Sequence, residues 1–286
     1  MIVRKVFNCY IVSSLFKESP LSRLEGRNAL VTGGAQGLGR AIARSLAGMG
    51  AHVTVVDLNE AKGRECVDSI GAASGSASFV KANVARREDI EAAVHQAADH
   101  GDGRIDVMVN AAQFFAMPKA LELVTDKDWE LSEATGPKAT FRFMQIGFPF
   151  LRASGRASVI NFVSGSALGG IAYTAPYSAA KGAVAALTKV AANEWARHRI
   201  RVNALCPFAL TEAQESMIGT EWDNYTRTAV ASPMKRGADP ETEIAPAVAF
   251  LASDDAAFVT GTVLHVDGGM TELSTVDYSQ SPGVFG

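Results

Sequence analysis

Thr32-Gly33-Gly34-Ala35-Gln36-Gly37-Leu38-Gly39 follows a short apolar run, Ala29–Thr32, and opens an Ala-rich segment, Gly39–Met49. A run of this kind suits a buried strand, and the Ala-rich segment has helix length and composition. Glycines between a strand and a helix let the backbone turn tightly and approach an anion with no Cβ in the way. The free N–H groups at the helix start then face that anion. Gly33, Gln36, Gly37, Leu38 and Gly39 are therefore expected to cradle the pyrophosphate of a dinucleotide. The same glycines could serve a tight turn that binds nothing. Asp57 argues against that, because it closes the next apolar run, Val53–Asp57, about 20 residues on, where an acid meets the adenosine ribose. A carboxylate there accepts a bond from a 2′-hydroxyl and repels a 2′-phosphate. Neither Leu58 nor Gln36 supplies a cation beside it, so NAD is expected rather than NADP.

Outward from this turn, short apolar or β-branched runs recur at Ser78–Lys81, Val107–Asn110, Val159–Phe162, Arg201–Leu205 and Val263–Val266. Nearly continuous apolar runs fit strands covered on both faces. Helix-length segments lie between them: Asn59–Ile70, with Gly63 inside it; Arg86–His100, with Ile90, Val94 and Ala97 at helical spacing; Ala175–Trp195; and Thr242–Leu251. Repeated strand–helix–strand order predicts an α/β fold: one doubly wound parallel sheet of seven strands with helices on both faces. No linker or repeat divides it. A single domain over residues 24–270 is expected, preceded by an extension (1–23) and followed by a polar tail (271–286).

The chain has 286 residues, 27 Lys plus Arg against 30 Asp plus Glu, and a net charge of −3. This near-neutral balance, with no basic block, argues against nucleic acid as a partner. Cys9, Cys66 and Cys206 form no CxxC pair, and the five histidines are scattered; neither a disulfide framework nor a metal site is indicated. The stretch Val6–Phe16 after Arg4 and Lys5 is interrupted by Asn8, Ser13 and Ser14 and has no small-x-small cleavage site. It is too short to span a bilayer. A cytoplasmic protein without a membrane partner is the expectation.

Tyr177-Ser178-Ala179-Ala180-Lys181 puts a phenol and an ammonium on one face of a helix. Ser164 follows the run Val159–Phe162, at the sheet edge where ligands of such folds bind. The helix Ala175–Trp195 is apolar over much of its circumference, which predicts a second cover beyond the sheet, such as another subunit.

With Asn110-Ala111-Ala112, Arg201-Val202-Asn203-Ala204 leading to Cys206-Pro207, and Val266-Asp267-Gly268-Gly269, these motifs resemble the short-chain dehydrogenase/reductase family over about Leu24 to Gly269. The resemblance implies a Rossmann-type fold, a homodimer or homotetramer, and hydride transfer between a nicotinamide and a carbon bearing oxygen. It gives Tyr177 the role of acid or base. Lys181 would stabilise the phenolate and bind the nicotinamide ribose, and Ser164 would hold the substrate oxygen. Asn83 and Val84 would lie by the adenine, Asn110 and Pro207 by the cofactor, and Thr211 by the nicotinamide carboxamide or the diphosphate.

Three departures stand out. Where the family commonly reads Asn-Asn-Ala-Gly, this chain reads Asn110-Ala111-Ala112-Gln113, placing a side chain beside the cofactor. Pro-Gly is replaced by Pro207-Phe208. The family's catalytic asparagine, counted from Trp129, falls on Gly136, followed by Pro137. That pair should break or kink its helix. Gly136 keeps a main-chain carbonyl, expected to be left unpaired by Pro137 and to serve an altered proton relay.

The segment Phe208–Asp239 is long enough for a lid, with Met217, Ile218, Trp222, Tyr225 and Met234 as apolar weight. With Phe114, Phe115 and Phe208 it suits an apolar or cyclic alcohol or ketone. The competing reading is an NAD-binding sensor or scaffold without catalysis. Binding alone does not call for Ser164 or the Tyr177 hydroxyl, so their presence together favours the enzyme.

Overall fold

Seven parallel strands run in the order β3-β2-β1-β4-β5-β6-β7. They are β1 (Asn28–Thr32), β2 (His52–Asp57), β3 (Ser76–Lys81), β4 (Val107–Asn110), β5 (Ser158–Phe162), β6 (Arg201–Pro207) and β7 (Val263–Val266). The computed structural model describes residues 23–115, 117–209, 211 and 232–271. The expected extension, most of the tail and residues Met217, Ile218, Trp222 and Tyr225 of the expected lid lie outside these. The central strands β1, β4 and β5 are buried along their whole length, which is why each reads as an apolar run.

The two-residue period of a strand divides the core in two. Ala29 and Val31 pack with α1 (Gly37–Gly48), α2 (Glu60–Ala72) and a later helix, α8 (Ala245–Ala252), on one face. Leu30 packs with α3 (Arg87–His100), α5 (Pro137–Ser154) and α7 (Ala175–Trp195) on the other. Among the described residues there are also two short helices, α4 (Asp126–Thr135) before α5 and α6 (Gly165–Gly169) between β5 and α7.

Helix α2 tolerates Gly63 for a packing reason. A Cβ there would collide with the ring of Phe79 on β3, so glycine lets helix and strand approach. Asn59 caps α2 by accepting from the Lys62 N–H at 3.1 Å. Towards the end of the chain the helix expected from Thr242 begins as one π-helical turn, Pro240–Ile244, before α8. Asp239 caps that turn by accepting from the N–H groups of Glu241 and Thr242.

Sheet order reverses at β1, whose neighbours are β2 and β4. Connections leave the carboxyl ends of these strands in opposite directions and open a crevice there. The glycine turn, the segment 111–115, Ser164 and Phe208 all follow carboxyl ends of strands.

Candidate active site

The glycine turn has the conformation its sequence suggests. Gly33 and Gly37 sit at φ +66° and +54°, in the left-handed region that side chains disfavour. A Cβ on Gly33 would lie 3.0 Å from Ala112 Cα, and one on Gly39 would fall onto the carbonyl of Gly33. Helix α1 starts at Gly37, two residues earlier than expected. Its N-cap, Gln36, makes no side-chain capping bond, and its first turn holds no acidic residue. The α1 amides thus form a cradle suited to a pyrophosphate. Thr211 comes to the same place, since a Cβ on Gly37 would be 3.5 Å from its own.

Asp57 ends β2 and reaches back to the turn. One carboxylate oxygen accepts from the Ala35 N–H at 3.1 Å, the other from the Asn59 N–H at 2.9 Å. Leu58 beside it is exposed. A cation that the residues next to Asp57 in sequence do not reveal lies nearby: Lys62 Nζ donates to Gln36 Oε1 at 2.8 Å. Asn83, with Val84 after it, follows β3, and its side chain accepts from the Ala85 N–H. Asn110 at the end of β4 donates to Asn161 Oδ1 at 2.9 Å, while its own Oδ1 is buried without a partner among the described residues.

Across the crevice, Ser164 caps α6. Its Oγ accepts from the Ser166 N–H at 3.2 Å and from the Ser166 hydroxyl at 3.0 Å. Two incoming bonds leave its own O–H to donate, and it lies close enough to Tyr177 to pull that phenol's pKa down. Helix α7 brings Tyr177 and Lys181 to the same point one turn apart. Lys181 is buried, its Nζ donates to Phe162 O at 2.7 Å, and it lies 5.6 Å from the centre of the Tyr177 ring. Phe115 packs against that ring in an edge-to-face arrangement, centroids 4.8 Å apart. The three expected catalytic side chains therefore converge.

Electrostatics here are governed by burial. It pushes the Tyr177 phenol up to about 12, against the pull of Ser164 and with a smaller push from the Cys206 thiol. It pulls the Lys181 ammonium down to about 7, with Cys206 acting weakly the other way. Each neutral form is favoured, so a phenolate needs positive charge brought into the site. A stability test follows. An unfolded lysine titrates near 10.5, so between about 7 and that value the unfolded chain holds a proton at position 181 that the folded protein lacks. Stability from this group therefore rises with pH across the window, and Lys181→Met removes the rise. Thermal midpoints of both proteins at pH 6.5 and 9, taken without cofactor, read it; equal slopes would contradict the buried placement.

Gly136 corrects one expectation. The helix does break there: α4 ends at Thr135, Gly136 has φ −94° and ψ −102°, and Pro137 opens α5. Its carbonyl is not left unpaired, because it accepts from the Thr140 N–H at 2.9 Å in the first turn of α5. Proline removes the donor for the carbonyl four residues earlier, at Glu133, rather than for its immediate predecessor.

A small cavity of about 10 Å³ beside Tyr177 is lined by Met117, Lys119, Tyr173 and Pro176, among others. Lys119 is tied to Asp128 at 2.6 Å, and its hydrogen bond, with those from Thr125, holds that carboxyl well below the usual range. Sequence spacing gave no sign of this pair or of the Phe115–Tyr177 contact. Of the other apolar residues expected at the substrate side, Phe114 is exposed, Phe208 half-buried and Met234 exposed.

Residues 33–271 match the family described as Enoyl-(Acyl carrier protein) reductase. The 12alpha-hydroxysteroid dehydrogenase of a Clostridium species is 33% identical over 252 residues, 86% of this chain and 97% of that protein. The D-threitol dehydrogenase of Mycolicibacterium smegmatis is 36% identical over 253 residues, 87% and 94% of the two chains. A crystal structure from Sinorhizobium meliloti 1021, described as a candidate short-chain alcohol dehydrogenase, superposes with a TM-score of 0.82 at 31% identity, covering 88% of this chain and 98% of that one.

Proposed function

The chain belongs to the short-chain dehydrogenase/reductase family, and on that premise we propose that it is an NAD-dependent oxidoreductase interconverting a secondary alcohol and a ketone. The observation that carries this reading is the convergence of Ser164, Tyr177 and Lys181 at the sheet edge that also holds the glycine turn. The residues present fit a dinucleotide: the Cβ-free path at Gly33 and Gly39 and the uncapped start of α1 suit its pyrophosphate, and Asp57 suits its ribose. When bound, the nicotinamide supplies the carbon that gives or takes the hydride and a positive charge in its oxidised form.

In the reducing direction the Ser164 O–H would hold the substrate carbonyl and polarise it. Tyr177 Oη would give its proton to that oxygen as the carbonyl carbon accepts the hydride, and in the oxidising direction it would take the proton back. Lys181, with hydrogen-bond donors beyond the one used on Phe162 O, would anchor the nicotinamide ribose and stabilise the phenolate. Phe115 beside Tyr177 and Phe208 favour an apolar or cyclic substrate. Spectrophotometric screening of cyclic and aliphatic secondary alcohols and ketones with all four nicotinamide cofactors tests the proposal. No turnover that depends on Tyr177, with cofactor still bound, would instead favour the binding protein without catalysis.

NAD preference rests on Asp57. Asp57→Ser is expected to shift the ratio of NAD to NADP efficiency about 10- to 100-fold towards NADP, since the charge that would repel a 2′-phosphate is gone and Lys62 stands close by. An unchanged ratio in paired kcat/KM measurements would refute that assignment. We also propose that the protein is a homodimer or homotetramer. The outer face of α7 exposes Ala179, Ala183, Ala186 and Val190, an apolar stripe of the kind subunits cover. Among the described residues no helix is long and apolar enough to cross a membrane.

A further inference from the structure

The hollow that touches Tyr177 carries a chemical preference of its own. Its volume of about 10 Å³ has room for about one water-sized group. Apolar Met117, Val124 and Pro176 line it together with the ion pair of Lys119 and Asp128. The two charged side chains are 38% and 21% exposed, so an incoming molecule can reach them.

Bonding within the pair leaves part of it unused. Asp128 Oδ2 accepts from Lys119 Nζ at 2.6 Å, from the Thr125 N–H at 3.1 Å and from the Thr125 hydroxyl at 2.7 Å. Among the described residues no such bond falls on Oδ1. The ammonium has three N–H donors and spends one on Asp128. Both members are held in place. Thr125 and Asp128 form the capping box that starts α4, and the Lys119 N–H donates to Tyr173 O at 2.9 Å. Tyr173 also lines the hollow and takes φ +68°, a strained conformation that persists only where its surroundings fix it.

A spare acceptor beside spare donors, with no net charge between them, selects one kind of group. A substrate carboxylate would be repelled by Asp128, and an ammonium by Lys119. A keto oxygen can accept from Lys119 but gives Asp128 nothing. A hydroxyl does both, accepting from Nζ and donating to Oδ1. We propose that Lys119 and Asp128 form a subsite for a second hydroxyl of the substrate, so that the alcohol is a diol and the matching ketone a hydroxyketone. The inference rests on the dehydrogenase reading and narrows its substrate class. Because one small hollow touches both the ion pair and Tyr177, the second hydroxyl lies close to the reacting carbon. The exposed Met117 and Tyr173 flank it with apolar surface for the rest of the molecule.

Matched alcohols read the subsite: cyclohexanol against 1,2-cyclohexanediol, and 2-butanol against 2,3-butanediol, with every diol stereoisomer tried at saturating NAD. The best diol isomer is expected to exceed its mono-alcohol about tenfold or more in kcat/KM, chiefly through KM. Lys119→Met keeps an apolar stem and loses the donors, so the ratio should fall to about one. A part-exposed ion pair adds little to stability, and this variant should melt near the wild-type temperature. Asp128→Asn puts a donor where an acceptor is needed and should lower the ratio as well. Lys127→Met, at an exposed position of α4, should leave the ratio at the wild-type value. A wild-type ratio of one or below overturns the subsite without any variant, and so does a ratio that survives both Lys119→Met and Asp128→Asn. Turnover that depends on Tyr177 but shows no diol preference sinks the subsite alone. Absence of any Tyr177-dependent turnover on these alcohols and the wider panel sinks the dehydrogenase reading and the subsite with it.

Discussion

Tyr177→Phe is expected to lower kcat/KM by about 10³-fold or more while leaving NADH affinity within about twofold. The substitution deletes one oxygen and keeps the ring. The edge contact with Phe115 and the approach of Lys181 to the ring face survive, and Lys181 still donates to Phe162 O. What disappears is the proton that must travel with the hydride. A factor of 10³ corresponds to about 4 kcal/mol of transition-state stabilisation, within the range of a positioned acid assisted by a charged neighbour. Burial has already pushed this phenol up to about 12, so the apo protein spends little time as phenolate, and deleting the hydroxyl should disturb the fold very little. Initial rates at saturating cofactor, set beside fluorescence titration of NADH, make the comparison. A variant retaining more than a tenth of wild-type kcat/KM would remove Tyr177 from its assigned role.

The second large effect belongs to the glycine turn. In Gly39→Ala the new methyl group would fall onto the Gly33 carbonyl, a backbone atom with no rotamer to escape into. Turn and helix must then separate, and the α1 amides lose their aim at the pyrophosphate. We expect NADH affinity to fall about 100-fold and stability to drop by about 2–3 kcal/mol, the upper part of the range for single substitutions. Gly48→Ala in the same helix is the control. Nothing lies within 4 Å of a Cβ there, so it should be neutral or slightly stabilising through helix propensity. Equal behaviour of the two variants would mean that the closeness of Gly39 to Gly33 carries no functional weight.

The central strands were legible because a strand covered on both faces is mostly apolar, as Val107–Asn110 and Val159–Phe162 are apart from the buried Asn110 and Asn161. Strand starts were less visible, since polar residues open them for local reasons. Asn28 begins β1 while its side chain donates to the carbonyls of Ala97 and Arg104. His52 begins β2 with its ring nitrogens against Ser76 and Ser78 of the neighbouring strand. Ser164, Tyr177, Lys181 and the glycine turn could be read because strand ends and helix periodicity fix where such side chains point. Lys62 beside Gln36, Lys119 on Asp128 and Gln113 against Gly136 join elements whose meeting is set by packing, and no spacing rule encodes it. The Gly136 carbonyl was misjudged for a different reason. A proline's missing donor is felt a full helical turn upstream, whereas the adjoining carbonyl is claimed by the helix that starts there.

Asp57 has one more implication, for anyone wishing to retarget the enzyme to another dinucleotide. The carboxylate said to discriminate between ribose and its phosphate also ties the backbone of the glycine turn to the first residues after β2. Selectivity and mechanical integrity are welded into one side chain, so a substitution that relaxes the first loosens the second. Successful redesign should leave that weld in place and work from the exposed Leu58 and from Lys62, gaining a new preference without a slack binding turn.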